Sequence, residues 1–207
     1  MAPSVEPTQA NFYTSKDFGG DKFEYLVGSD VSVPGELNDK FHSVNVGVNA
    51  KVIAWQHYNS TGIYKEWTGA VNDISDIGGL SRFQVVDGNT KAIAFLFKDA
   101  TGGKDKQYSL KLDARDVGSV TLYSNDGDEY HLVGIMPQDG PPVTTALYIR
   151  DEQSGSYLAV GSVFFQWDSG SNGVKIVEND NWPKQLKEEQ KGPSSFLVTL
   201  IDNKPSE

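Results

Sequence analysis

The 207-residue chain has no cysteine. Disulfides, thiolate catalysis and cysteine-ligated zinc are thereby excluded. A small domain working outside the cell without disulfides must be held by its core or by a metal bound through oxygen. No stretch is long and apolar enough to span a bilayer. The first nine residues, Met-Ala-Pro-Ser-Val-Glu-Pro-Thr-Gln, carry neither the basic start nor the apolar segment of a secretory leader. Action at the cell surface would therefore require a non-classical export route. Positive charge is also scarce: 18 Lys and Arg face 28 Asp and Glu, for a formal net charge of −10 and a pI of about 4.7. Such a surface as a whole repels nucleic acid phosphates and anionic lipid and attracts cations.

Catalytic signatures are missing as well. His42, His57 and His131 do not stand at metal-ligand spacing and read as structural or surface residues. There is no Gly-x-Ser-x-Gly elbow and no phosphate-cradling loop. The pairs Asp151-Glu152 and Glu188-Glu189 read as solvated loop charge. No nucleophile, base and orienting group occur together, so the chain is expected to bind and not to catalyse.

What is present is β-structure. Ten Phe, nine Tyr, four Trp and 21 Gly spread without a repeat suit packed cores joined by turns. Alternating apolar and polar runs predict strands at 11–15, 22–27, 43–47, 51–58, 64–68 and 81–86. In the run 51–58, Val52, Ala54 and Gln56 are expected on one face and Ile53, Trp55 and His57 on the other. Asp87-Gly88-Asn89-Thr90 is turn-rich and marks a domain boundary. Beyond it, longer strands are expected at 92–98, 107–112, 119–123, 130–135, 145–150, 157–166, 174–178 and 195–201. Asn125-Asp126-Gly127-Asp128 and Asp168-Ser-Gly-Ser-Asn172-Gly173 read as hairpin turns. The latter has the look of a calcium loop but carries Asn179 at its twelfth position. Seven or eight strands in about 110 residues suit an immunoglobulin-type sandwich. The expected division is a flexible tail at 1–10, a first domain at 11–88 and a second at 91–203.

Two motifs carry chemistry. Tyr13-x-x-x-x-Phe18-x-Gly20 places two aromatics around a folded hairpin, with glycine where the chain doubles back at positive φ. Asn38-Asp39-Lys40-Phe41-His42-Ser43 follows, and Asp76-Ile77-Gly78-Gly79-Leu80-Ser81 stands in register with it, with Asn72-Asp73 just upstream. Calcium takes six to eight hard oxygens, and adjacent Asn and Asp in a bent loop with a hydroxyl supply several. These segments resemble the Greek-key and calcium-loop motifs of the βγ-crystallin family, with His42 and Leu80 where the family carries a hydroxyl and Ile77 where it carries Asn or Asp. The resemblance implies an all-β chain: an N-terminal βγ-crystallin-like Greek-key sandwich and a C-terminal immunoglobulin-like β-sandwich. It implies Ca2+ as the bound ion, with Asn38, Asp39, Ser43, Asp73, Asp76 and Ser81 as candidate ligands.

Further words extend the likeness in order: Gly79-Leu80-Ser81-Arg82-Phe83-Gln84-Val85, Gly161-Ser162-Val163-Phe164-Phe165, Pro183-Lys184 and Ser195-Phe196. With the first loop they resemble the calcium-dependent cell adhesion family of social amoebae. That resemblance implies homophilic binding to a second copy on a neighbouring cell. It also implies synthesis in the cytoplasm, export through the contractile vacuole and peripheral attachment to the membrane, with a membrane-anchoring protein as a further partner. Two other readings stay open. One is an intracellular calcium-binding stress protein of βγ-crystallin type. The other is a lectin that stacks Trp182 on sugar, although Trp55, Trp67 and Trp167 are expected in cores.

Overall fold

The structure, a computed structural model, describes residues 1–101, 108–114, 117–124, 129–177 and 182–202. The turn expected at 125–128 and Asn179 lie outside the described residues. The chain divides into two compact units, Met1–Thr90 and Lys91–Glu207.

The first unit has eight strands: β1 (Gln9–Tyr13), β2 (Lys22–Leu26), β3 (Asp30–Ser32), β4 (Ser43–Val46), β5 (Ala50–Trp55), β6 (Tyr64–Trp67), β7 (Ala70–Val71) and β8 (Arg82–Asp87). They form two four-stranded sheets in the orders β2-β1-β4-β7 and β3-β8-β5-β6. Each half of the unit is a Greek key that lends one strand to the other's sheet: β3 pairs with β8, and β7 with β4. The exchange makes the two keys one core. Phe12 is fully buried and lies 4.4 Å from Phe83 and 5.1 Å from Phe41, ring to ring. Deleting such a ring costs about 3–5 kcal/mol, so Phe12→Ala would remove the centre of the unit.

Three expectations need correction here. Residues 1–10 are not a free tail. Asn45 Nδ2 donates to Pro3 O at 2.6 Å, Asn49 N donates to Pro7 O at 2.8 Å, and β1 starts at Gln9 with Ala10 fully buried. Strands β3 and β7 do not show in the sequence pattern, because runs of three and two residues are too short to display a period. Strand β5 ends at Trp55 with all six residues buried, so Gln56 and His57 belong to the following loop and not to the strand's two faces.

The second unit holds β9 (Lys91–Asp99), β10 (Tyr108–Ala114), β11 (Gly118–Tyr123), β12 (His131–Met136), β13 (Val143–Asp151), β14 (Tyr157–Asp168), β15 (Gly173–Val177), β16 (Leu186–Gly192) and β17 (Ser195–Leu200). A five-stranded sheet, β11-β10-β13-β14-β15, faces a four-stranded sheet, β12-β9-β17-β16. This is the two-layer architecture of immunoglobulin-like sandwiches, which tolerates variation in strand order. Among the described residues, all pairings of this unit are antiparallel except β17 with β9. Phe95 joins the layers, 5.7 Å from Phe165 and 5.9 Å from Phe196. The 168–173 segment is a β14–β15 hairpin turn, with Asn172 at φ 48° and Ser171 Oγ donating to Asp168 Oδ2 at 2.7 Å. Strand β16 was not expected: Leu-Lys-Glu-Glu-Gln-Lys-Gly is an edge strand held by its backbone, with little apolar alternation to betray it.

Candidate metal-binding site

The Asn38–Asp39 loop begins where Pro34 fixes a turn. Leu37 N and Asn38 N both donate to Pro34 O, at 2.8 and 2.9 Å. Asp39 then takes φ 59°, a left-handed conformation that Asp tolerates better than most residues. Asn38 Nδ2 donates to Asp39 Oδ2 at 2.9 Å, which orients the carboxylate. The Tyr58 hydroxyl lies 3.0 Å from Asn38 Oδ1 and 3.1 Å from Val33 O and donates to one of them at a time. On the far side, Gly78 and Gly79 sit at φ 71° and 114°. A Cβ on Gly79 would collide with Asp39 Oδ1, so the second loop approaches the first closely because it has no side chain there.

These elements line an open hollow of about 270 Å³ formed by Asn38, Asp39, Gln56, His57, Tyr58, Gly78 and Ser81. Its oxygen donors are one carboxylate, two side-chain amides and two hydroxyls, with the His57 imidazole beside them. Such hard oxygens fit calcium and disfavour soft metals. Among the described residues, no three His, Cys, Asp or Glu side chains converge as a metal cluster. An ion held here would therefore rely on neutral oxygens and water around a single formal charge, which argues for modest affinity.

The other candidate ligands have different surroundings. Ser43 is fully buried; its hydroxyl accepts from Phe18 N at 3.0 Å and donates to Ser15 O at 2.7 Å. It thereby ties down the Tyr13–Gly20 hairpin, in which Asp17, Phe18 and Gly20 all have positive φ and the Tyr13 and Phe18 rings meet edge to face at 5.7 Å. Asp73 Oδ2 receives Lys16 Nζ at 2.5 Å, and Asp73 Oδ1 receives Ser75 N at 2.9 Å. The Lys16 hydrogen bond first, and then those from Ser75, hold the Asp73 carboxyl well below the usual carboxylate range. Asp76 Oδ2 pairs with Lys65 Nζ at 2.7 Å. At this second loop, lysine ammonium groups stand beside the carboxylates.

The structure therefore brings Asn38, Asp39 and Ser81 together and leaves Ser43, Asp73 and Asp76 with partners of their own. Gln56 and Tyr58 are not ligand candidates from sequence, and Gly78 enters there only as part of the second loop motif. They come from the β5–β6 hairpin and the opposite loop, and the 38-residue offset between the two loop motifs is the signal that pairs them. Asn72, named in the sequence beside the second loop, instead holds the first hairpin: its Nδ2 donates to Asp17 Oδ1 at 3.2 Å, and Asp17 N donates to Asn72 O at 2.9 Å. A larger hollow of about 620 Å³ is lined by Thr8 and by residues 46–50, 68–69 and 87–89. Asp87 is its sole ionisable lining residue, and Asn89 N occupies Asp87 Oδ1 at 2.9 Å.

Interlocked Greek keys with paired loops, followed by a second sandwich, define a two-domain protein of the βγ-crystallin type. Residues 6–87 match the family model described as Beta/Gamma crystallin, and residues 93–201 match the one described as Membrane binding. The Abundant Perithecial Protein of Neurospora crassa is 69% identical, with 99% of this chain and 100% of that chain covered and a TM-score of 0.91. A separate structure of that protein's βγ-crystallin domain, in the Ca2+-bound form, is 67% identical over 42% of this chain and 97% of that one, with a TM-score of 0.42. Calcium-dependent cell adhesion molecule 1 of Dictyostelium discoideum is 27% identical, covering 97% of this chain and all of the relative. This chain belongs to the family of the Abundant Perithecial Protein, with a βγ-crystallin domain ahead of a domain of the Membrane binding family.

Proposed function

We propose that this protein is a calcium-dependent adhesion protein. Its N-terminal domain binds the ion and associates with a second copy, and its C-terminal domain holds the chain peripherally on a membrane. The observation that carries the reading is the convergence of Asn38, Asp39 and Ser81 on one oxygen-lined cavity. It occurs in a chain that aligns over nearly its whole length with a calcium-dependent adhesion molecule. The match of residues 93–201 to the Membrane binding family supports the second role. No described helix is long and apolar enough to cross a membrane, which suits attachment from outside the bilayer.

Calcium has a physical task in such a contact. Two copies at −10 each repel. An ion at Asp39 lowers local charge and orders the loop, reducing the ordering cost when two domains meet. A homophilic contact is commonly two-fold, so one patch must complement itself. The test is clustering of beads coated with the full chain, in calcium and in chelator. Clustering in calcium alone is the expected result. Calcium binding without clustering would return the protein to the crystallin-type intracellular reading, and clustering abolished by free sugar would make it a lectin.

A further inference from the structure

The outer face of the five-stranded sheet carries an organised set of aromatic and cationic side chains. Strand register builds two adjacent rows across it. One runs Tyr123, Ser109, Arg150, Tyr157; the next runs Thr121, Lys111, Tyr148, Ala159. The alternate residues Leu110, Leu112, Leu147 and Ile149 are buried in the core, so these rows point away from it, although Ser109 is covered and donates to Glu152 Oε1 at 2.5 Å. Lys111 Nζ lies 5.4 Å from the ring centres of both Tyr148 and Tyr157, and the Arg150 guanidinium lies 5.5 Å from Tyr157. Glu152 holds Arg150 Nη1 at 3.1 and 3.3 Å, which fixes the guanidinium against the ring. Tyr157 is 55% and Tyr123 38% exposed.

A cation held between two rings is positioned without using its hydrogens. The ion pair from Lys111 to Asp113 is 3.4 Å long and leaves ammonium donors over. Within these two rows and their neighbours Lys111 and Arg150 balance Asp113 and Glu152, so these four side chains add no net negative charge on a chain of net charge −10 and lessen the repulsion that the surface as a whole would feel from anionic lipid. Tyrosine, apolar in its ring and polar at its tip, is favoured at the level of lipid headgroups. Lys and Arg donors match phosphate oxygens.

We infer that this face, built on β10, β11, β13 and β14, is the surface through which the C-terminal domain contacts the phospholipid headgroup layer. Lys111 and Arg150 meet phosphates, and Tyr123, Tyr148 and Tyr157 lie in the interface. The inference rests on the reading of this domain as membrane-docked and adds the face and the residues.

The test is sedimentation of the full chain with vesicles of phosphatidylcholine alone and of phosphatidylcholine mixed with phosphatidylserine. Lys111→Gln is expected to weaken binding to the mixed vesicles about fivefold, the effect of one cation near an anionic surface. Adding Tyr157→Ser is expected to weaken it further on both vesicle types. Both positions are surface positions, and an unchanged melting midpoint certifies the fold. The control is Lys187→Gln with Lys191→Gln on β16 of the other sheet, expected to change binding by less than about twofold. Equal losses in the control and the test variant, or no loss in the test variant, would overturn the assignment of the face while leaving membrane docking intact. A wild-type chain that binds neither vesicle overturns the docking reading itself. Retention on glycan-coated beads, lost with Tyr157→Ser, would give the face to sugar and overturn the inference.

Discussion

Ser43→Ala is the most discriminating single change, because it separates a structural hydroxyl from a metal ligand. The Ser43 Oγ accepts from Phe18 N at 3.0 Å and donates to Ser15 O at 2.7 Å, and the residue has no exposed surface. Each net hydrogen bond contributes about 1 kcal/mol, and a donor left unpaired out of water costs about 1–3 kcal/mol. The Phe18 amide is only partly shielded, so the lower part of that range applies. The sum is a loss of about 2–3 kcal/mol from the N-terminal domain. For a domain of this size each kcal/mol moves the midpoint by about 4–8 °C, so the transition should fall by roughly 10–20 °C. Scanning calorimetry of the full chain, in chelator and in saturating calcium, measures it. The same loss is expected in both conditions, since the hairpin is tied in both. A loss below about 1 kcal/mol would refute the hairpin argument. A loss that appears only in calcium would make Ser43 a ligand.

Calcium at a hundredfold excess over its dissociation constant should stabilise the chain by about 2.7 kcal/mol per site, and identical melting midpoints with and without chelator would remove the calcium reading. Calorimetric titration should find weaker binding in Asp39→Ala and little change in Asp76→Ala, whose carboxylate already pairs with Lys65; the reverse order would move the site to the second loop. Gly79→Ala should both destabilise the first domain and weaken calcium binding, because the added Cβ meets Asp39 Oδ1 at φ 114°; unchanged affinity would separate Asp39 from the ion. The depressed carboxyl of Asp73 contributes stability above its unfolded pKa of about 4 and loses it as pH falls through the lower folded value. The contribution is small, since Lys16 and Asp73 are both substantially exposed. Asp73→Asn should flatten the acid limb of a melting-versus-pH curve, and an unaltered limb would deny the Lys16 pairing.

Much of this protein is written locally. Alternation at 22–27, 64–68 and 157–166 marks strands because a half-buried pleat must show one apolar face. The Tyr13–Phe18–Gly20 spacing predicts a folded hairpin because only a few residues accept its positive φ. Asn38-Asp39 and Ser81 were legible as oxygen donors for the same reason: short polar side chains at bends have few other uses. Tertiary structure decided the rest. That the first loop closes over the second hairpin, recruiting Gln56 and Tyr58, follows from the exchange of β3 and β7 between sheets, and strands of two or three residues leave no periodic trace. That Ser43 ties a hairpin while Ser81 lines a cavity cannot be read from two serines in equivalent motifs, because a hydroxyl bonds to whatever the fold brings within about 3 Å. The pairing of Asp73 and Asp76 with Lys16 and Lys65 depends, for Asp73, on a lysine 57 residues away in sequence. Local pattern specified the strands and the donors; which donors share a cavity was set by long-range packing.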